Sequence, residues 1–383
     1  MPPLEPNSVL LVGNAYHGVL AAVRALRAAG HAPWLAVHES RTYAGFSRTR
    51  AGTVSVPNPE YDSEGFVRKL ADAAVRLSVA AVLPSTDTHF LTLAGREADF
   101  AGITLGTPSR ERVVRAMDKE TLVKIATTVG LQIPPTTKVV SWDSKAISTF
   151  GFPAIVKPLR SRIRNPDGTY SACDTRYVPT RQAAEEALEA LPGKQGLVQP
   201  YIPGALRSVT GVSWEGELVC ALHQASIRIW PVRAGISAFA ETIPPDAKLE
   251  QGVGRLLQAL GWSGIFQAQF IRSARGEHYL IDLNPRIYGS LALAVAAGLN
   301  LPAIWVDLLL GRQPSIDGYH VGTHFRQEEK DVRALARMLV NGNPQEALQG
   351  LMPQRNTTHA IFSLRDPMPL LASGAKLVGQ LRR

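Results

Sequence analysis

The sequence predicts an α/β protein that begins with a Rossmann-like parallel α/β domain. Over the first hundred residues, short apolar runs at 9–12, 34–37 and 80–83 alternate with helical patterns around 19–26 and 66–77. This strand–helix–strand order is typical of a parallel sheet. The pattern changes after Met117, and the length of 383 residues suggests two or three domains.

Composition narrows the class of protein. With 45% hydrophobic residues, the chain can bury a sizeable core. Its two cysteines, Cys173 and Cys220, have no metal-ligand spacing, so neither a disulfide framework nor a zinc site is indicated and a cytoplasmic location is expected. Residues 1–6 lack the features of a signal peptide, and no apolar run reaches membrane-spanning length. We therefore expect a soluble protein.

The formal net charge of +9 favours anionic partners. The basic residues are scattered and form no nucleic-acid module, so small anions such as nucleotide phosphates and carboxylates are the expected ligands. The basic amphipathic end at 376–383 could contact a membrane, but we interpret it as a packed segment with a solvated basic face.

Ligands of parallel sheets bind beyond the carboxyl ends of the strands. In the first domain this rule indicates two loops. The first loop, 13–18, lacks the glycine spacing of a dinucleotide site, although Glu39 follows the second strand where a ribose acceptor would stand. We interpret His17 as a capping or packing residue. The polar loop residues that the rule selects are Asn14, Tyr16, His17, Ser85, Thr86 and Asp87.

After Met117 the chain has clear start and stop signals. Asp118 has the residue type of an N-cap, and Gly130 ends the helix that it begins. Lys157 lies in an apolar strand that Pro158 ends. The same reasoning predicts a helix at 180–191, a strand at 197–204, a hairpin at 209–222, helices at 303–310 and 331–339, and a turn at 365–369.

A second hairpin, at 265–284, carries the most informative polar residues. Asp282 and Asn284 share one face of their strand because side chains alternate, and hairpin pairing sets Gln269 beside Asp282. These hard oxygen ligands suit magnesium, which takes the rest of its shell from water and phosphate. Arg286 then adds a guanidinium after Pro285. The simpler alternative is a hairpin with polar residues on its solvent face.

The order of these features resembles the ATP-grasp superfamily from Val9 to Gly311, most closely the predicted carboxylate-amine ligase branch and next the carbamoyl-phosphate synthetase nucleotide domain. The matching segments are Met117-Asp118-Lys119, 152–158, 198–204, Gln269 and 282–286. The resemblance implies an ATP-grasp fold preceded by a Rossmann-like pre-ATP-grasp domain. The implied divisions are 1–116 for that domain, 117–203 for a central or lid subdomain, 204–312 for a C-terminal subdomain with the metal site, and 313–383 for a C-terminal extension.

The same resemblance implies roles for individual residues. Nucleotide contacts fall on Lys119, Lys157, Gln199, Pro200, Tyr201, Ile202, Gln269 and Asp282, and metal ligands on Gln269, Asp282 and Asn284. Lys119 and Arg286 are the implied catalytic residues, and the implied substrate contacts are Arg228, Arg286, Tyr288, Gly289 and Ser290. Arg228, the candidate for the substrate carboxylate, could equally be a surface arginine on a strand.

Two positions and one segment depart from the family pattern. Gln199 and Asp282 stand where glutamate is usual, and 160–168 contains one glycine where a glycine-rich loop normally covers the phosphates. Four cations could cover the phosphates instead, namely Arg160, Arg162, Arg164 and Arg176.

The resemblance implies an ADP-forming ligase that uses ATP and two Mg²⁺ ions, with Mn²⁺ as a substitute, to join small-molecule carboxylate and amine substrates such as amino acids or small peptides. Neither nucleic acid nor a membrane is an expected partner, and a homodimer remains open. Two other functions remain as alternatives: an NAD-dependent oxidoreductase that uses the first domain, and a regulatory ATP-binding protein of the same fold.

Overall fold

The computed structural model describes residues 7–13, 16–38, 42–140 and 151–370. The predictions made for residues 1–6, Asn14, Glu39 and the basic end at 376–383 lie outside these ranges. Within them, none of the helices is both long and apolar enough to cross a membrane.

A five-stranded parallel sheet forms the first domain, as predicted, with the strand order β3-β2-β1-β4-β5. Its strands are β1 (Ser8–Gly13), β2 (Ala32–Val37), β3 (Gly52–Ser55), β4 (Ala81–Leu83) and β5 (Thr104–Leu105). The helices of this part are α1 (His17–Ala28), α2 (Ser63–Arg76), α3 (Asp87–Leu93) and α4 (Arg110–Met117). Strands β3 and β5 were not predicted. Strand β3 has no fully buried residue and therefore no apolar run, and β5 has only two residues.

An antiparallel four-stranded sheet follows, with the order β10-β7-β11-β6. Its strands are β6 (Thr137–Val139), β7 (Ala154–Lys157), β10 (Arg176–Val178) and β11 (Gly196–Pro200), and a separate hairpin consists of β8 (Arg162–Arg164) and β9 (Tyr170–Ala172). The helices are α5 (Lys119–Thr128) and α6 (Arg181–Glu189). Asp118 caps α5 as predicted, since its carboxylate accepts the Thr121 N–H at 2.8 Å.

The third sheet has seven strands in the order β16-β15-β12-β13-β14-β17-β18. They are β12 (Gly204–Trp214), β13 (Glu217–Trp230), β14 (Ile236–Thr242), β15 (Gly264–Ser273), β16 (His278–Asn284), β17 (His324–Arg326) and β18 (Thr357–His359). Its helices are α7 (Ala247–Leu260), α8 (Leu291–Ala296), α9 (Leu301–Leu309), α10 (Glu328–Val340) and α11 (Pro344–Leu351). The division expected at residue 312 does not coincide with an edge of this sheet, because β17 and β18 continue it.

The first and third sheets share one hydrophobic core, whereas the second has its own. Helix α1 packs on α8 and α9. The Phe90 ring of α3 lies 5.4 Å from that of Trp262 and 6.4 Å from that of Trp305. Replacing a buried aromatic residue of this kind by alanine typically costs about 3–5 kcal/mol. The first domain is therefore fixed against the third sheet, and the second sheet packs as a separate unit.

Candidate active site

One cavity of about 710 Å³ is lined by residues from all three sheets. The first domain contributes the loops after β1 and β4, the second sheet contributes β7 and the end of β11, and the third contributes β15, β16 and the chain after β16. With the exception of Arg228, all the site residues predicted from the sequence line it, namely Lys119, Lys157, Gln199, Pro200, Tyr201, Ile202, Gln269, Asp282, Asn284, Arg286, Tyr288, Gly289 and Ser290.

Two lysines and one carboxylate form the charged centre of the cavity. Lys119 begins α5, and its ammonium donates a hydrogen bond to Asp282 of β16. Lys157 ends β7, and its ammonium donates to the Ile281 carbonyl at 2.6 Å. Both lysines are buried. Two cations with one anion leave a net positive charge, which suits a polyphosphate.

The pKa values follow from this arrangement. Burial lowers the pKa of Lys157 to about 8, with Asp282 opposing and Lys119 reinforcing the shift. Burial alone would raise the pKa of Asp282, but the positive charges of Lys119 and Lys157 outweigh it and hold that pKa below its ordinary value. Asp282 is therefore ionised at neutral pH, while a fraction of Lys157 is open to deprotonation in mild alkali.

Three amide side chains lie on the same two strands as this carboxylate, namely Gln267, Gln269 and Asn284. Gln269 pairs with Asp282 across β15 and β16, as predicted. The Asn284 amide nitrogen lies 3.4 Å from both the Gln269 and the Gln267 side-chain oxygens, and Asp282 Oδ2 makes no hydrogen bond within the described ranges. One carboxylate and neighbouring amides fit Mg²⁺, which prefers oxygen ligands and keeps waters and phosphates in its shell. The described residues contain no cluster of three or more His, Cys, Asp or Glu suited to a metal ion.

Arg286 connects this centre to the first domain. Its Nη2 donates to Asn284 Oδ1 at 2.9 Å, its Nε to Asp87 Oδ1 at 3.0 Å and its Nη1 to the Ile287 carbonyl at 3.1 Å. Burial opposes the charge, but Asp87 outweighs it and keeps the pKa of Arg286 above its ordinary value. The guanidinium is thus held in one orientation by three elements of the chain.

The loop after β1 packs against Gly289 at the same end of the cavity. Burial raises the pKa of the Tyr16 phenol, although the Arg286 charge opposes the shift. A Cβ added at Gly289 would lie 2.8 Å from the Tyr16 hydroxyl and 3.1 Å from His17 Nε2, so glycine permits this close approach. His17, interpreted from sequence as a capping or packing residue, is buried at the start of α1 and also lines the cavity.

The segment from Gln199 to Ile202 forms another wall. The Gln199 side chain is buried and donates to Thr136 Oγ1 at 2.8 Å. The Tyr201 N–H donates to the Pro153 carbonyl at 3.0 Å, whereas the Ile202 N–H makes no hydrogen bond to the described residues. A planar heterocycle at this wall could therefore use the Ile202 amide as a donor.

The prediction that Arg228 binds the substrate carboxylate is not supported, because Arg228 lies outside the cavity. It makes two hydrogen bonds to Asp331 of α10, at 2.6 and 3.0 Å, and its guanidinium lies 4.4 Å from the Phe239 ring centre. The pairing of β13 with β14 is irregular on both sides of Arg228, and the next residue, Ile229, lines the cavity. Arg228 therefore packs against α10 and does not enter the cavity.

Of the four arginines considered for covering the phosphates, Arg162 alone lines this cavity. It donates to Glu60 at 3.1 Å, whereas Arg160 pairs with Asp118. Arg164 and Arg176 are exposed. The position of Arg162 is thus fixed by the first domain.

Two of the polar lining residues that the sequence did not indicate are Gln267 and Arg233. Gln267 precedes Gln269 by two positions, and period-two alternation was a sufficient signal for it. Arg233 lies in the β13–β14 turn and donates to the Tyr177 hydroxyl at 3.0 Å. That contact joins the third sheet to the second, and no local sequence pattern predicts it.

Comparisons with known proteins agree with this architecture. Residues 193–331 match the family described as ATP-grasp in the biosynthetic pathway with Ter operon. The large chain of carbamoyl phosphate synthase from Thermotoga neapolitana is 27% identical over 225 residues, which are 55% of this chain. The match spans 20% of that relative's length.

Two solved structures extend the comparison. Biotin carboxylase from Campylobacter jejuni, in a β,γ-ATP complex, has a TM-score of 0.63 at 16% identity, covering 82% of this chain and 74% of that one. L-amino acid ligase from Bacillus licheniformis has a TM-score of 0.61 at 13% identity, covering 80% and 75%. The resemblance to the ATP-grasp superfamily and the predicted fold class are confirmed.

Proposed function

We propose that this chain, which has the ATP-grasp fold, is an ADP-forming ligase that joins a carboxylate to an amine. The observation that carries the proposal is the meeting of Lys119, Lys157, Asp282 and Arg286 in one cavity. Cations, a metal-compatible carboxylate and a fixed guanidinium are the groups that phosphoryl transfer requires.

The nucleotide would occupy the part of the cavity between the second and third sheets. Its adenine would lie against the segment from Gln199 to Ile202, where the free Ile202 N–H can donate to a ring nitrogen. Its phosphates would meet the ammonium groups of Lys157 and Lys119, which lie near Asp282. The net positive charge of that centre supports this orientation.

The reaction needs no protein nucleophile. An oxygen of the substrate carboxylate attacks the γ-phosphorus, the bond to the β,γ-bridging oxygen breaks, and ADP leaves. The amine nitrogen then attacks the acyl carbon of the acyl phosphate, inorganic phosphate leaves, and the ammonium proton passes to solvent. Arg286 and Lys119 would stabilise the negative charge that develops during phosphoryl transfer.

Magnesium fits the donor set described above. Gln269, Asp282 and Asn284 would hold it, and its charge would offset that of the terminal phosphates. Lys119, now paired with Asp282, would then be available to a phosphate oxygen. The use of two ions and the replacement of Mg²⁺ by Mn²⁺ stay predictions.

The substrates proposed are small molecules, with amino acids or small peptides as the first choice. The similar fold of the Bacillus licheniformis L-amino acid ligase supports that choice by analogy. Tyr288, Gly289 and Ser290 line the cavity next to Arg286 and would contact the substrate. The homodimer and the cytoplasmic location remain predictions.

The two alternative functions have less support. Tyr16, His17, Thr86 and Asp87 of the first domain line the same cavity as Arg286, which argues against a separate dinucleotide site for an oxidoreductase. A regulatory protein that catalyses no reaction would not need Arg286 to be held near Asp282.

Replacing Asp282 by asparagine tests the proposal. Asp282→Asn removes the one carboxylate of the metal-compatible group, so Mg²⁺-dependent ADP release should fall on the order of 10²-fold. The assay is ADP release with ATP, Mg²⁺ and pairs of amino acids. Glu120→Gln is the matched control, because Glu120 pairs with Lys124 and Lys138 away from the cavity. Equal ADP release by Asp282→Asn and the parent would refute the role of Asp282.

A further inference from the structure

Asp87 offers an unused carboxylate oxygen at the substrate end of the cavity. It begins α3, it lines the cavity, and its side chain is 17% exposed. Its Oδ1 accepts the hydrogen bond from Arg286, whereas Oδ2 makes none to any residue that the structure describes. A partly buried carboxylate oxygen without a partner is a ready acceptor for a cation.

Of the carboxylates that line the cavity, Asp87 is the one available to bind a cation. Two other carboxylates line the cavity, but Asp282 belongs to the metal-compatible group and Asp174 is exposed near β9. Asp87 also lines a small adjoining space with three cations, Lys119, Arg160 and Arg162. Each of them already has a carboxylate partner, namely Asp282, Asp118 and Glu60 respectively. An anion would be repelled by Asp87, and a neutral donor would gain less from it than a cation.

We propose that Asp87 binds the ammonium group of the amine substrate, so that the enzyme selects cationic primary amines such as the α-amino group of an amino acid. This inference rests on the function proposed above. It assigns the amine subsite to the first domain, across the cavity from the nucleotide wall at Gln199–Ile202.

The contacts of Arg286 place this subsite beside the reacting centre. The guanidinium donates from Nη2 to Asn284 Oδ1 of the metal-compatible group and from Nε to Asp87 Oδ1. An ammonium held by Asp87 therefore lies next to an acyl phosphate held by Arg286. Loss of the ammonium proton to solvent then leaves the nitrogen lone pair within reach of the acyl carbon.

The test compares a cationic nucleophile with an uncharged one in the variant Asp87→Asn. Asparagine keeps an oxygen acceptor for Arg286 but removes the negative charge. With glycinamide, which is cationic near neutral pH, the KM should rise on the order of tenfold or more, because a charge-assisted hydrogen bond is lost. With hydroxylamine, which is uncharged at neutral pH, hydroxamate formation should stay close to that of the parent.

Two further variants complete the experiment. Asp87→Glu keeps the charge and should retain the preference for glycinamide over hydroxylamine. Asp317→Asn removes a carboxylate at an exposed position outside the cavity and should leave both KM values unchanged. Thermal unfolding of each variant checks that it is folded.

Each of the following outcomes would overturn the inference. A parental glycinamide KM in Asp87→Asn would show that Asp87 does not bind the amine. Equal losses of activity with glycinamide and with hydroxylamine would show that Asp87 acts only by orienting Arg286. If the parent enzyme itself forms neither ADP nor hydroxamate, the proposed function fails, and this inference fails with it.

Discussion

At the scale of single residues, burial of charge determines how the cavity responds to pH. Lys157 is a buried ammonium that donates to the Ile281 carbonyl, and burial lowers its pKa to about 8. Such a group can bind a phosphate as a cation at neutral pH and loses that ability in mild alkali. The affinity for ATP should therefore depend on whether Lys157 is protonated.

We expect the Kd for ATP to increase above pH about 8 in the parent, approaching tenfold for each further pH unit, as Lys157 loses its proton. Lys157→Met should bind ATP more weakly and without this dependence. Calorimetric titration between pH 7 and pH 9 measures both. Lys138→Met is the control, because Lys138 is exposed and pairs with Glu120. The same alkaline weakening in Lys157→Met would exclude Lys157 as its source.

The free energy of unfolding should increase over the pH range in which ATP binding weakens. The folded pKa of Lys157 lies below its ordinary value of 10.5, so the unfolded chain binds more protons between about pH 8 and 10.5. The contribution of Lys157 to the free energy of unfolding therefore becomes more favourable as pH rises through that window. Lys157→Met lacks this contribution, and the difference between the two unfolding curves isolates it.

Local sequence patterns were sufficient to predict part of the site. Asp282 and Gln269 could be paired from the sequence because a short turn and period-two alternation fix the register of a hairpin. The partner of Arg286, Asp87, is 199 positions away in the chain. The rule for loops of parallel sheets selected Asp87, but no rule in the sequence could join it to Arg286.

At the scale of elements, β13 shows how one irregularity changes the position of a charge. Simple strand alternation could not specify the irregular pairing around Arg228, so the sequence left both faces open to this side chain. The structure pairs Arg228 with Asp331 of α10, while Arg326 Nε lies 3.1 Å from Asp331 Oδ2. Asp331 is buried and is the shared counter-ion of both arginines, which joins α10 to the third sheet.

Asp331→Ala should lower the free energy of unfolding by about 3–5 kcal/mol, because it leaves two largely buried guanidinium groups without a counter-ion. Chemical denaturation measures the loss, and Asp317→Ala, at an exposed position, is the control. The Kd for ATP should not change under conditions where the variant is folded. Unchanged stability, or weaker ATP binding at full stability, would contradict this structural role.

At the scale of the whole molecule, three sheets converge on one cavity, and two of them share a core. Sequence patterns predicted the parallel first sheet and the order of the later elements. They could not predict that β17 and β18, of three residues each, extend the third sheet beyond residue 312. Short edge strands carry little periodicity, and their pairing depends on distant residues.

The central claim is that this cavity transfers the terminal phosphoryl group of ATP to a carboxylate. The most direct measurement supplies ATP, Mg²⁺ and single amino acids with hydroxylamine in place of the amine, and identifies both products by mass. We predict ADP and an acyl hydroxamate in equal amounts, because Lys119, Lys157 and Arg286 gather positive charge where the terminal phosphoryl group would lie. AMP as the nucleotide product would indicate adenylation of the carboxylate and would contradict this account.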